Sequence, residues 1–400
     1  MLQQTQESNT IFTLIMTLIA IAISEMPPIL TADILTTSIN GEADMRLPNR
    51  PIPLTEKEIK HLSYKPYGLV QKLYVIQPNI CLCGAGNVYD LKLILEDFRN
   101  FCKWKSNEGE QWLNREIVQD FFLNYDQELL NEVVFGIAVA KDEENGFVFT
   151  PEKHKSFWLG GGSDDFGAVI AAGSGKTQYL EHISWHKLVG SSHKPGDFMH
   201  AKQVNYSFIT KFLCKENLTL KSLGNYWGGF LETCYFNGEC FQKDANVAFV
   251  ICDSVTDDEG NMSIPVPKLF IYNQYIDNVL YLTTVKASDF EIIKSKYSIS
   301  YISKNFIKTL FIVEEIDAKD SASALTQNDN LSYITQKIAL GINVKTTSQT
   351  YLQMSAYTEG EDIKVEFSDG NYIELIWPVH LHEKQVKTIK ENYSMIKKAV

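Results

Sequence analysis

Apolar residues crowd positions 11–23 (IFTLIMTLIAIAI), and a second apolar run, PILTAD at 28–33, follows across Ser24-Glu25-Met26-Pro27. Proline and polar residues in that connection suit a turn, so the two runs predict neighbouring strands. Residues 37–68 are polar and contain Pro48, Pro51, Pro53 and Pro66, which marks a loop or insertion. Strands return at 71–77 (QKLYVIQ) and 79–83 (NICLC). Gly84-Ala85-Gly86 then breaks the run and opens a helix over NVYDLKLILEDFRNFCKW, where Leu91, Leu93, Ile94 and Phe98 recur at roughly helical spacing. The pattern further predicts a helix over 112–131, a strand over 133–139, helices over about 177–189 and 197–215, and strands at GGFLETCYF and ECFQK. This order is neither a βαβ repeat nor an all-β chain, and it predicts an α+β layered domain.

From about residue 245 the character changes. VAFVICDSV, KLFIYNQYI, VLYLTTV, TLFIVEEI and YIELIWPV are apolar stretches separated by polar turns, which reads as a second, strand-rich unit. It closes on EKQVKTIKENYSMIKKAV, where Val386, Ile389, Tyr393, Ile396 and Val400 make one helix stripe packed on its own domain.

With 44% apolar and 22% charged residues, the chain can bury a sizeable core and is not disordered as a whole. A net charge of −12 with no concentrated run of Lys or Arg disfavours nucleic acid as a partner. Seven scattered cysteines do not resemble a disulfide framework and point to a reducing, cytoplasmic compartment. The run 11–23 also fits a secretory apolar segment, with Ala20-Ile21-Ala22 mimicking a cleavage site. Residues 1–10, however, carry Glu7 and no basic residue, which favours a buried strand. No later segment is long and apolar enough to cross a bilayer, so no membrane partner is expected.

Four short motifs fail on inspection. Gly173-Ser174-Gly175-Lys176-Thr177 lacks the phosphate loop's earlier glycine, because Ile170 occupies that place. Gly84-Ala85-Gly86 lacks the third small residue of a dinucleotide fingerprint, where Tyr89 stands. His182 and His186 share a helix face, with His193 and His200 nearby, but no complete zinc signature accompanies them. Cys81 and Cys83 point to one side of a strand and read as small buried core residues. No cofactor and no metal are therefore expected.

One ordered set joins what these motifs leave separate. The segment TLIAIAISEMPPILTAD resembles the opening hairpin of proteasome β-subunits and HslV-like peptidases, within the N-terminal nucleophile (Ntn) hydrolases. Thr17 matches the family's N-terminal threonine, and Asp33 follows at its spacing of sixteen residues. Lys72 in QKLYVI resembles the family's lysine, and Gly86, fourteen residues on, stands at its oxyanion-hole glycine. Ser174 in Gly173-Ser174-Gly175 matches the serine-bearing loop, and GGFLETCYF the Gly-Gly strand. Gly224 and Trp227 stand where the family has an Asp and a Ser. The resemblance spans roughly residues 16–243.

It implies an α+β, four-layer αββα sandwich over 16–243, with an insertion at 37–68, and an additional β-rich domain over 244–400. Residues 1–15 would then be an extension that is removed or untranslated, because Met16-Thr17 reads as an initiator followed by a residue small enough for Met removal. The implied activity is threonine-type hydrolysis of a peptide or protein. A terminal threonine carries its own base, its α-amino group, to take the hydroxyl proton. A lysine favours the alkoxide, a carboxylate holds the lysine, and a glycine N–H can approach the oxyanion closely. Gly84 would lie at the floor of the specificity pocket and leave it deep. A homo-oligomeric ring or stack and an ATP-dependent unfoldase partner are implied as well. The alternative is a catalytically inactive proteasome-like scaffold that binds partners through its C-terminal domain.

Overall fold

The structure, a computed structural model, describes residues 17–23, 28–39, 45–107, 113–140, 147–149, 158–163, 167–188, 198–257, 259, 261–316, 333–346, 351–360, 363–368, 371–384 and 387. The expected C-terminal stripe from Val386 to Val400 lies outside the described residues, apart from Lys387 beside it.

The chain opens with β1 (Leu18–Ile23) and β2 (Ile29–Asp33), followed by β3 (Leu35–Ser38), α1 (Glu56–Ile59) and β4 (Lys65–Leu69). The hairpin of β5 (Leu73–Gln77) and β6 (Ile80–Gly86) leads into α2 (Val88–Asn107). Next come α3 (Arg115–Asn124), α4 (Gln127–Leu130), β7 (Val133–Val139), β8 (Phe147–Phe149), β9 (Trp158–Ser163) and β10 (Gly167–Gly173). Helices α5 (Lys176–Leu188) and α6 (Phe198–Thr219) precede β11 (Leu231–Phe236) and β12 (Phe241–Lys243). The remainder is strand: β13 (Val247–Val255), β14 (Val266–Ile276), β15 (Val279–Ser288), β16 (Glu291–Lys294), β17 (Ser298–Ser303) and β18 (Asn305–Val313). β19 (Tyr333–Thr335), β20 (Lys337–Lys345), β21 (Tyr351–Glu359), β22 (Lys364–Ser368) and β23 (Tyr372–Pro378) complete it.

The strands make a six-stranded sheet β12-β11-β2-β1-β10-β9, a four-stranded sheet β5-β6-β7-β8 and the β3-β4 hairpin. A second six-stranded sheet, β18-β15-β14-β13-β20-β21, and a five-stranded sheet, β16-β17-β23-β22-β19, make the C-terminal part. Neighbours run antiparallel except β13 and β20.

Burial on both faces explains why β1 is almost wholly apolar. Its Ile19 and Ile21 meet Leu73, Cys81, Cys83 and Val134 of the four-stranded sheet. Its Leu18, Ala20 and Ala22 face the other way, toward α5 and α6. The four-stranded sheet turns Tyr74, Leu82 and Phe135 to Ile94, Leu95 and Phe98 of α2. Phe249, Ile251 and Ile271 of the C-terminal six-stranded sheet join the core around α6, while Val250, Phe270 and Tyr272 on its other face meet Leu375 and Trp377.

The expected α+β four-layer αββα sandwich is therefore corrected. Twenty-three strands stand against six α-helices among the described residues, and antiparallel sheets dominate the chain. Helix α6 does not cap an outer face, because a second six-stranded sheet covers it and a five-stranded sheet follows. Of the β-branched and aromatic runs after residue 245, one face joins the core around α6 and the other packs into a core of its own. Two local readings also change. β6 continues through Gly84-Ala85 to Gly86, so the glycines do not break it. The helix expected over 112–131 splits at Tyr125, since Asn114 caps α3 and Asp126 caps α4. Among the described residues, no helix is long and apolar enough to cross a membrane.

Candidate active site

Antiparallel pairing brings the start of β1 beside the end of β2. Ile19 pairs with Ala32, so Thr17, just before β1, lies next to Asp33, the last residue of β2. Lys72 immediately precedes β5 in the facing four-stranded sheet. The Thr17 hydroxyl donates to Asp33 Oδ1, which also accepts from Leu18 N at 3.0 Å. Lys72 Nζ donates to Thr17 Oγ1 at 2.8 Å, to Asp33 Oδ1 at 2.8 Å and to Leu35 O at 2.6 Å, which uses all three of its protons. Asp33 Oδ2 accepts from Gly228 N at 2.8 Å. Asp33 is 0% and Lys72 6% exposed, and charges buried to that degree persist only when paired and hydrogen-bonded. The Thr17 oxygen thus sits between a carboxylate that accepts its proton and an ammonium that favours its anion.

Thr17 and Lys72 line a cavity of about 160 Å³ together with Gly84, Gly86, Tyr64 and Ile316. Gly86 has φ +129°, and a Cβ there would meet Glu132 O at 2.2 Å, so only glycine fits. Gly84 lines the cavity, but its open side is already filled. A Cβ would meet Leu91 Cδ1 at 2.7 Å and Phe135 Cε1 at 3.2 Å. The deep, empty floor expected at Gly84 is therefore replaced by one that Leu91 closes. Ser174 is at the site but on its far side: its hydroxyl donates to Thr17 O at 3.4 Å, beside Gly175 N at 3.2 Å, and does not meet the Thr17 hydroxyl. Trp227 stacks on Phe212 with ring centroids 4.8 Å apart, within the core around α6, and is not among the residues lining the Thr17 cavity. Gly224 borders a different, larger cavity.

Several residues that shape the site carried little local signal. Thr37 and Tyr64 come from the insertion, Thr36 from just before it in β3, and Ile316 from just beyond β18. Glu232, wholly buried in β11, accepts from Lys72 N at 3.0 Å. A lone acid inside GGFLETCYF was the available clue, since a buried charge in a strand needs a partner.

Of the remaining candidates, His182, Cys81 and Cys83 are taken up in packing. His182 Nε2 lies 3.3 Å from Val204 O, and its ring packs near Phe208. The side chains of His186 and His200, and all of His193, lie outside the described residues. No group of three or more metal-ligating side chains occurs among the described residues. Cys81 and Cys83 are buried between the two sheets, and burial pushes both thiols up. Comparison with protein-family models and with curated proteins finds no match.

Proposed function

We propose that this protein is a threonine-type amide hydrolase of the N-terminal nucleophile kind, acting on a peptide or protein once Thr17 begins the chain. The observation that carries the reading is the mutual bonding of Thr17, Asp33 and Lys72 at a cavity wall, from positions 16 and 55 residues away from the threonine. Thr17 Oγ1 attacks the substrate carbonyl carbon, and its proton passes to the Thr17 α-amino group, whose reference pKa is about 8. Lys72 favours the alkoxide, and Asp33 orients both. The negative oxygen of the tetrahedral species forms toward the Gly86 backbone. The C–N bond then breaks, and the α-ammonium returns its proton to the leaving amine. Water, deprotonated by the same amine, finally hydrolyses the Thr17 ester. A homo-oligomeric ring or stack fed by an ATP-dependent unfoldase belongs to the same proposal and rests on the family resemblance.

The test is turnover of a panel of fluorogenic peptides by a chain beginning at Thr17. Thr17→Ala should abolish it, and undiminished turnover rejects the mechanism. A second reading, an inactive scaffold, draws on Gly224 and Trp227: the first has no side chain and the second is spent in the core, so neither supplies a polar group at Thr17. Absence of turnover in every oligomeric form of the Thr17-started chain would favour it.

A further inference from the structure

The Gln71–Lys72 segment lies outside the β5–β6 ladder, which begins at Leu73, yet it is bonded from several sides. Gln71 N donates to Glu314 O at 3.0 Å, and Gln71 bridges in parallel to Glu315. Gln71 Nε2 donates to Asn278 O and to Val313 O, both at 2.7 Å. Lys243 Nζ donates to Gln71 Oε1 and to Glu315 Oε1, and Tyr74 OH donates to Gln71 O at 2.7 Å. Lys72 N donates to Glu232 Oε1 at 3.0 Å, while Glu232 Oε2 accepts from Tyr275 OH at 3.0 Å. Tyr275, Asn278, Val313 and Glu314 all belong to the C-terminal part. Every polar atom of Gln71 is thus used, and the lysine backbone hangs on a buried carboxylate that a C-terminal tyrosine holds.

We propose that the C-terminal sheet is a positioning element for Lys72, with Tyr275 acting through Glu232, and the β14–β15 turn at Asn278 and the end of β18 at Val313 acting through Gln71. The inference rests on the reading of Lys72 as the cation that activates Thr17. It gives residues 244–400 a part in building the site. Gln71, Glu232 and Tyr275 are positioning residues, since none of them touches the Thr17 hydroxyl. The titratable groups facing Glu232 are Lys243 from β12, Tyr275 from β14, Tyr74 from β5 and Glu315 after β18. Burial pushes the Glu232 carboxyl up, and Lys243, the Lys72 N–H and the Tyr275 hydroxyl pull it back.

Tyr275→Phe removes one hydroxyl and keeps the ring. A shift of about 1 Å at a reacting group can cost about 100-fold, so kcat should fall about 10- to 100-fold with KM little changed. A tyrosine that served only stability would lower Tm and leave kcat of the folded chain unchanged. A second readout needs no turnover: acetylation of Lys72 by acetic anhydride in the folded chain, followed by peptide mass spectrometry. Tyr275→Phe and Gln71→Ala should each raise Lys72 labelling several-fold over the wild-type chain. Unchanged labelling together with an unchanged kcat overturns the positioning role. Turnover that survives Thr17→Ala overturns the underlying reading instead, and the labelling result still decides whether the C-terminal sheet holds Lys72. If Gln71→Ala does not fold, Tyr275→Phe alone carries both measurements.

Discussion

Two buried charge clusters flank the first six-stranded sheet, and only one of them is arranged for chemistry. At Thr17, Asp33 and Lys72 pair across the gap between two sheets. At the other cluster, Asp244 pairs with Lys202 and Lys337, each at 3.0 Å, and accepts from Tyr206 OH at 2.7 Å. Lys202 also meets Glu359 at 3.1 Å and lies over the Tyr235 and Tyr357 rings. Burial is alike: Asp244 is 2% and Lys202 4% exposed, close to the values at Asp33 and Lys72. The difference lies in what completes each cluster. Aromatic rings enclose Asp244, and the hydroxyls beside it are phenols that burial pushes well up, so they serve as donors. At Thr17 the third member is an aliphatic hydroxyl at a cavity wall, backed by close-approaching glycine backbone. Buried charge alone marks a well-paired core; a hydroxyl and an open side make it a candidate for catalysis.

The comparison is most easily broken at the nucleophile. Thr17→Ala should lower peptide turnover by about 1,000-fold or more while the fold persists, because Asp33 and Lys72 remain paired. Lys72→Ala should do the same to turnover, measured on the same peptides. The opposite behaviour is expected of the second cluster. Asp244→Asn breaks the buried pair with Lys202 and the partly exposed one with Lys337; it should cost about 3 kcal/mol in urea unfolding, with kcat/KM close to that of the wild-type chain under native conditions. A catalytic loss there with stability intact would erase the distinction.

Gly84→Met sharpens the picture of the cavity. The added side chain meets Leu91 and Phe135 at once, so about 1–3 kcal/mol of stability should be lost and turnover should fall on all peptides alike. Loss confined to long-side-chain substrates would restore an open floor at Gly84. The smallest expected effect is in pH dependence. Burial raises Glu232 and Glu216 above their ordinary value of 4.5. The stability tied to their protonation is fully present below that value and is lost as pH rises through the raised ones. Urea midpoints should therefore decline across that window, and Glu216→Gln should flatten the decline.

Much of the site was legible in the sequence because its members are tied to strand ends. Sixteen residues from Thr17 to Asp33 is what a hairpin needs to bring the start of one strand to the end of the next, and Ile19 does pair with Ala32. Lys72 was legible as a charge at the head of an alternating strand. The strands at 18–23 and 133–139 and the helix after Gly86 were also readable from local pattern. What could not be read was set by distant packing. Nothing local to Gln71 announces that it will bond to Val313, which lies 242 residues away. The enclosure of α6 between two sheets depends on β20 and β21, strands that the local apolar pattern does not single out, so the layer order is not readable from that pattern. The floor beneath Gly84 is closed by Leu91 from α2, a contact between strand and helix that periodicity does not specify.

The central claim is that the Thr17 oxygen, with its own α-amino group free, takes up the acyl group. Protein isolated from its native source and treated with a peptide aldehyde or β-lactone can be analysed by intact mass and by mapping of the modified peptide. The account predicts a chain that begins at Thr17 and carries one adduct on that residue, with labelling lost in Lys72→Ala. An adduct confined to another residue, or active protein in which Thr17 is still joined to Met16, would contradict it.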